Sequence, residues 1–129
     1  MKWIPVFVAL LLLSGCAAQA QNQPGYRQIN MEEAIAMMET ESDYMILDVR
    51  TPEEFSRNHI PGAINIANET IGSEEIPELP DKNQLILVYC RSGNRSKQAS
   101  EKLVALGYTN IVEFGGINDW PGEVVSEIP

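Results

Sequence analysis

Apolar positions in this chain fall into short runs, separated by stretches in which they recur every three or four residues. Tyr44–Val49 and Leu85–Tyr89 are near-continuous apolar runs of strand formers, each the length of one buried strand. Tyr26–Ile29, Ile64–Ile66 and Asn110–Phe114 are shorter strand candidates. Helical spacing lies between them. Asn30 with Glu33 forms a capping-box pattern opening a helix to about Glu39, with Ala34, Ile35 and Met38 facing inward. Thr51-Pro52-Glu53-Glu54 opens a second, short helix that ends near Arg57 or Asn58. Ser96–Leu106 sets Ala99, Leu103 and Leu106 on one face, and Gly107 is a natural stop. Asn68–Pro80, broken by Gly72, Pro77 and Pro80, reads as a loop with one weak helical turn. Gly115-Gly116 leads to a short turn of helix through Trp120, stopped by Pro121-Gly122. Strands alternating with helices predict an α/β domain with a mainly parallel sheet of about five strands.

The strand Leu85–Tyr89 is followed by a six-residue loop, Cys90-Arg91-Ser92-Gly93-Asn94-Arg95, and then by the helix from Ser96. Ligands bind at such strand-to-helix turns in open α/β sheets. Backbone N–H groups converge there and the helix dipole adds positive charge, which favours a thiolate and its use as a nucleophile.

The length of 129 residues fits one domain. Net charge is −9, from 18 acidic and 9 basic residues, which argues against nucleic acid as a partner. Four of the nine basic residues (Arg91, Arg95, Lys97 and Lys102) nevertheless cluster between positions 91 and 102. An acidic body with one basic spot points to a small anionic ligand, although Lys102 also fits an ordinary solvated helix charge.

The N-terminus departs from the rest. Lys2 precedes the ten-residue apolar run Ile4–Leu13. This is shorter than the roughly 20 residues of a spanning helix, and it reads as a secretory signal. It ends Leu13-Ser14-Gly15-Cys16, which resembles the lipobox of bacterial lipoproteins. That resemblance implies cleavage of residues 1–15, a lipid on Cys16, and a cell-envelope location outside the cytoplasm. If the host is Gram-negative, Ala17 in place of an aspartate points to the outer membrane. Residues 16–25 are polar and read as a tether whose nine residues after Cys16 reach roughly 16 Å. Residues 26–129 form the domain. With Cys16 lipidated, Cys90 is an unpaired exposed thiol with no disulfide partner.

Three stretches together resemble a single rhodanese-like (sulfurtransferase) domain. They are Ile46–Asn65 (with Asp48-Val49-Arg50, Pro52–Phe55 and His59–Asn65), Val88–Ser96, and Gly115-Gly116 with Trp120. The chain departs from the family after Trp120, where Pro121-Gly122 comes at once. The resemblance implies that Cys90 takes the sulfane sulfur of a donor such as thiosulfate and passes it from a persulfide to a thiol or cyanide. Arg91 and Arg95 would orient the anionic donor, Ser92 and Ser96 would supply hydroxyls, and Gly93 and Asn94 would turn backbone amides toward the sulfur. The alternatives are a persulfide carrier with protein donor and acceptor, a protein-binding module, or a cysteine phosphatase or arsenate reductase. Phosphatases use Cys-x5-Arg, a wider cradle than the four-residue spacing between Cys90 and Arg95.

Other residues carry blander readings. Asp48 and Arg50 are expected to brace the active loop through hydrogen bonds or an ion pair. His59, ahead of Pro61-Gly62, reads as a turn-packing residue rather than a base, and Trp120 as core cover. The pairs Glu32/Glu33 and Glu74/Glu75 read as solvated faces. No cofactor or metal site is expected from one His and one free Cys.

Replacing Cys16 by Ser is expected to abolish precursor cleavage or to release the protein from the membrane fraction. Fractionation and immunoblotting of the two forms check this; unchanged cleavage and fractionation would refute the lipid anchor.

Overall fold

The computed structural model describes residues 25–128, in which the alternating elements build one five-stranded sheet. In chain order these are β1 (Arg27–Gln28), α1 (Met31–Thr40), β2 (Tyr44–Asp48), α2 (Pro52–Arg57), β3 (Ile64–Asn65), β4 (Leu85–Cys90), α3 (Asn94–Ala105) and β5 (Ile111–Gly116). The spatial order is β1-β5-β4-β2-β3, and every pairing is parallel. The signal, Cys16 and the tether up to residue 24 lie outside the described residues.

Strand periodicity divides the core. Ile86, Val88 and Cys90 point to one face and meet Ala99 and Leu103 of α3. Leu85, Leu87 and Tyr89 point to the other and meet Ala34 of α1 and Phe55 of α2. β4 is buried along its whole length, which is why it reads as a continuous apolar run rather than an alternating one. Each fully buried aliphatic side chain contributes roughly 1.5–3 kcal/mol, so β4 is the sheet's main anchor.

Both short capping boxes form as their sequences predict, Asn30 with Glu33 and Thr51 with Glu54. On α1, Ala34 is buried and Met38 packs inward, but Met31 and Met37 join the core contact rather than Ile35. The loop 68–80 carries one 3-10 turn at Asn68–Thr70, and a second 3-10 turn at Ile117–Asp119 precedes Trp120. Lys102 is not simply solvated: its Nζ donates to the Asn68 carbonyl at 2.9 Å and to Asn68 Oδ1 at 3.0 Å, tying α3 to that loop.

The described segment is also fastened near both of its ends. Gly25 abuts Val104 near the C-terminal end of α3. His59 and Val125 form an antiparallel bridge, with N–H···O bonds of 2.9 Å in each direction.

The end of β5 bears directly on the loop after β4. Three residues of β4, Val88 to Cys90, face four of β5, Glu113 to Gly116, so β5 bulges there with Gly115 at φ +93°. A Cβ on Gly116 would run into the Arg91 carbonyl, so only glycine lets the two backbones come this close. Asn118 N–H donates to that same carbonyl at 3.2 Å. Gly116→Ala is therefore expected to destabilise the fold by about 1–3 kcal/mol, the usual cost of overpacking. Urea unfolding of the variant against the parent measures it.

Candidate active site

Cys90 closes β4, and α3 begins only four residues later, at Asn94 rather than at Ser96 as its spacing suggested. Gly93 makes this possible: its φ of +117° turns the chain sharply enough for a helix to start at once. The irregular segment is thus only Arg91-Ser92-Gly93. Its curl covers the thiol. Cys90 is 1% exposed, so the expected exposed thiol is instead a buried one, roofed by its own loop. It is the one free cysteine among the described residues.

The sulfur sits in a small set of directed contacts. Gly93 N–H donates to Sγ at 3.0 Å, and the thiol donates to Ser96 Oγ at 3.4 Å. Ser96, fully buried on the first turn of α3, has Glu113 Oε1 as its nearest acceptor at 2.7 Å, with the Gly93 carbonyl at 2.9 Å. Glu113 also accepts from Gly115 N–H at 2.9 Å, which satisfies the bulged backbone of β5. Glu113 is buried and was not picked out from the sequence. Strand parity carried the signal: Ile111 lies on the face of α3, so Glu113 must share that face and lie beside the loop.

The loop's cations divide. Arg95 meets Glu54 in a two-pronged ion pair, Nη1 to Oε1 at 2.6 Å and Nη2 to Oε2 at 3.0 Å. That hydrogen bond, above all, holds the Glu54 carboxyl down to about 2 and raises Arg95 above its ordinary value. The charge of Arg95 is therefore matched before any anion arrives. The capping pattern at Thr51 assigns Glu54 a helix-capping role, which it also keeps by accepting from Thr51 Oγ1 at 3.1 Å. Arg91 remains exposed and, with Arg50, Arg57 and Asn118, lines a cavity of about 380 Å³ beside the loop, walled in part by Val124. Ser92 and Asn94 are exposed, whereas Gly93 is buried.

Asp48 and Arg50 form a buried ion pair. Arg50 Nη2 donates to Asp48 Oδ2 at 2.8 Å, and the Arg50 backbone N–H donates to Asp48 Oδ1 at 2.9 Å. The guanidinium lies 5.9 Å from the centre of the Tyr89 ring, one residue before Cys90, and also donates to the Asn58 carbonyl. The pair therefore supports the strand beneath the thiol and one wall of the cavity. Burial, before any other cause, pushes the Tyr89 hydroxyl above its ordinary range; that hydroxyl accepts the Ile60 N–H at 3.1 Å. His59 stacks on Phe55 with centroids 3.7 Å apart and donates Nδ1–H to the Phe55 carbonyl at 2.8 Å, a packing arrangement remote from the sulfur. Trp120 packs on the core face of α1 and α2. Among the described residues no group of His, Cys, Asp and Glu could hold a metal ion.

Comparison with known proteins agrees with this fold. Residues 30–123 match the rhodanese-like domain family. The chain is 41% identical over 73 residues to thiosulfate sulfurtransferase PspE of Escherichia coli, covering 57% of this chain and 70% of that protein. It is 33% identical over 109 residues to the adenylyltransferase and sulfurtransferase UBA4 of Candida albicans, covering 79% of this chain; it spans only about a quarter of that protein's length. A solved structure described as rhodanese with anions from E. coli superposes with a TM-score of 0.59 at 37% identity, over 64% of this chain and 98% of that one.

Glu54→Gln keeps an oxygen for the cap and removes the charge that meets Arg95. Because the folded Glu54 titrates below an unfolded glutamate, its stabilisation is present above about pH 4.5 and fades as the pH falls through about 2. The variant is expected to lose about 1–2 kcal/mol near neutrality, after allowance for partial exposure, and progressively less toward acid. Urea unfolding across that range measures the difference.

Proposed function

The chain belongs to the rhodanese-like domain family, and on that premise we propose that it is a sulfurtransferase working through a persulfide on Cys90. The observation that carries this reading is the seat of the sulfur: Sγ lies at the start of α3 with a backbone N–H aimed at it from 3.0 Å.

In this reading the Cys90 thiolate attacks the outer sulfur of thiosulfate or a similar anionic donor. The S–S bond of the donor breaks, sulfite departs with the electron pair, and a persulfide remains on Cys90. The terminal sulfur of that persulfide carries the charge, and the loop amides and the helix N-terminus stabilise it much as an oxyanion hole does. A thiol or cyanide then takes the outer sulfur and Cys90 leaves as thiolate. Arg91, exposed on the cavity rim, is the loop cation free to meet an incoming anion. Arg95 contributes by holding α2 against α3 through Glu54 and by its field at the sulfur. Ser92 and Asn94 lie exposed at the entrance, where they can contact donor or acceptor.

A carrier role, in which proteins supply and collect the sulfur, uses the same persulfide. The pairing of Arg95 with Glu54 favours it to the extent that it removes one cation from a small donor. The location belongs to the same proposal: cleavage before Cys16, a lipid on that residue and a domain anchored in the cell envelope outside the cytoplasm, supported by the order of charge, apolar run and Leu13-Ser14-Gly15-Cys16.

Intact-mass measurement after incubation with thiosulfate is expected to show one added sulfur, which cyanide removes as thiocyanate. Cys90→Ser is expected to abolish the addition. Arg91→Ala is expected to slow it roughly ten- to a hundredfold, the loss of one charge-assisted hydrogen bond acting in the transition state. Turnover of aryl phosphates through Cys90 without sulfur uptake would favour a phosphatase instead. Absence of both would favour a carrier or binding role.

A further inference from the structure

Cys90, Ser96 and Glu113 form a file on the face of the sheet covered by α3, in which Glu113 Oε1 is the nearest of the acceptors around Ser96 Oγ, ahead of the Gly93 carbonyl at 2.9 Å and the Gly115 carbonyl at 3.4 Å. The thiol donates to Ser96 Oγ at 3.4 Å and Ser96 lies 2.7 Å from Glu113 Oε1. A serine hydroxyl has one hydrogen to give. With the thiol as donor on one side, that hydrogen goes to Glu113, and a lone pair of Ser96 faces the sulfur. This arrangement suits a thiol and opposes a thiolate, which needs a donor rather than a lone pair in front of it.

Glu113 is the unusual member. It is 2% exposed, its two hydrogen bonds come from neutral donors (the Ser96 hydroxyl and Gly115 N–H), and among the described residues it has no ion-pair partner. A buried charge without a cation is costly, and a second negative charge one hydroxyl away on sulfur raises that cost. Moving one proton from the thiol to the carboxylate creates the charge on sulfur and removes it from Glu113 in the same event.

We propose that Glu113 is a positioning residue that takes the Cys90 proton through Ser96 and thereby turns the Ser96 hydroxyl toward the sulfur. The S–H bond of Cys90 breaks as an O–H bond forms at Ser96 Oγ. The former Ser96 O–H bond breaks as one forms at Glu113 Oε1. The electron pair stays on sulfur, and no proton enters or leaves the protein. Afterwards Glu113 donates to Ser96 and Ser96 donates to the thiolate. Neither displacement of the sulfur cycle consumes a proton, so this hydrogen-bond direction persists through the persulfide. The proposal rests on the reading of Cys90 as the nucleophile. Two charged surroundings act on the file. Glu33 of α1, Lys97 of α3 and Asp119 beyond β5 line the same surface hollow as Glu113, and the Arg95–Glu54 pair lies on the far side of the loop.

The test is the pH profile of alkylation by iodoacetamide, a neutral reagent that needs no sulfur donor. It is read on the Cys90 peptide of the purified full chain by mass spectrometry, from about pH 5 to about pH 10. A thiol and a carboxyl sharing one proton titrate in two macroscopic steps, so the parent is expected to show a low-pH plateau of reactivity and then a second rise. Glu113→Gln keeps an oxygen for Ser96 and Gly115 but cannot take a proton. It is expected to show a single rise, with reactivity on the former plateau reduced on the order of tenfold or more. Ser96→Ala interrupts the file while leaving Glu113 in place, and it is expected to give the same single rise even if Glu113→Gln folds poorly. A single rise in the parent, two steps surviving in either variant, or a Glu113→Gln profile lowered by one factor at every pH would overturn the relay. Sulfur loading from thiosulfate on the same samples is a separate arm: its absence in the parent would refute the transfer reading, while the alkylation profiles would still decide the relay.

Discussion

The period of two along β4 is the constraint on which the rest of this structure depends. With the strand buried on both faces, one residue more or less between Leu85 and Cys90 would send the thiol to the α1 and α2 side, away from the helix that stabilises it. The same parity on β5 delivers Glu113 to the face of α3. The bulge between Glu113 and Gly116 then lowers Gly116 onto the Arg91 carbonyl. Three consecutive elements, β4, α3 and β5, are thus brought to one sulfur by side-chain alternation and one irregularity.

Most of this was legible in the chain itself because each part has a local cause. The capping boxes at Asn30 and Thr51, the apolar runs of β2 and β4, and Gly107 past the end of α3 act within a few residues of themselves. The strand-loop-helix placement of Cys90 follows from the same reasoning. What escaped notice is what depends on pairs far apart in sequence. Glu54 looked complete as a capping residue, and nothing in residues 51–57 announces that Arg95 lies across from it. Glu113 reads as one polar residue in a weak strand until the register between β4 and β5 is known. Burial of Cys90 escaped for a different reason: positive φ at Gly93 starts the helix early and folds the loop over the thiol, an effect of backbone geometry rather than of composition.

The electrostatics are correspondingly less simple than a basic loop on an acidic body. Of the four cations gathered there, Arg95 is matched by Glu54, and Lys102 is spent on the carbonyl and amide oxygens of Asn68. Arg50, from elsewhere in the chain, is matched by Asp48. In the proposed transfer, the field that meets an anionic donor comes from Arg91 and Arg57 on the cavity wall and from exposed Lys97 on α3, together with the backbone dipoles of that helix. Salt should therefore screen the approach of a donor more than it disturbs the buried pairs beneath.

Because every strand runs the same way, the domain has a front and a back. Cys90 closes β4 at the front, beside the first turn of α3, whereas Gly25 rests against Val104, near the last turn of that helix. Eight residue steps along α3, from Ser96 to Val104, separate the two by about 12 Å along its axis. The sulfur site and the first described residue are therefore held at opposite ends of one helix. A side chain placed on Gly25 would press on Val104 and reach the sulfur only through the length of α3, so the two ends of that helix can be altered independently.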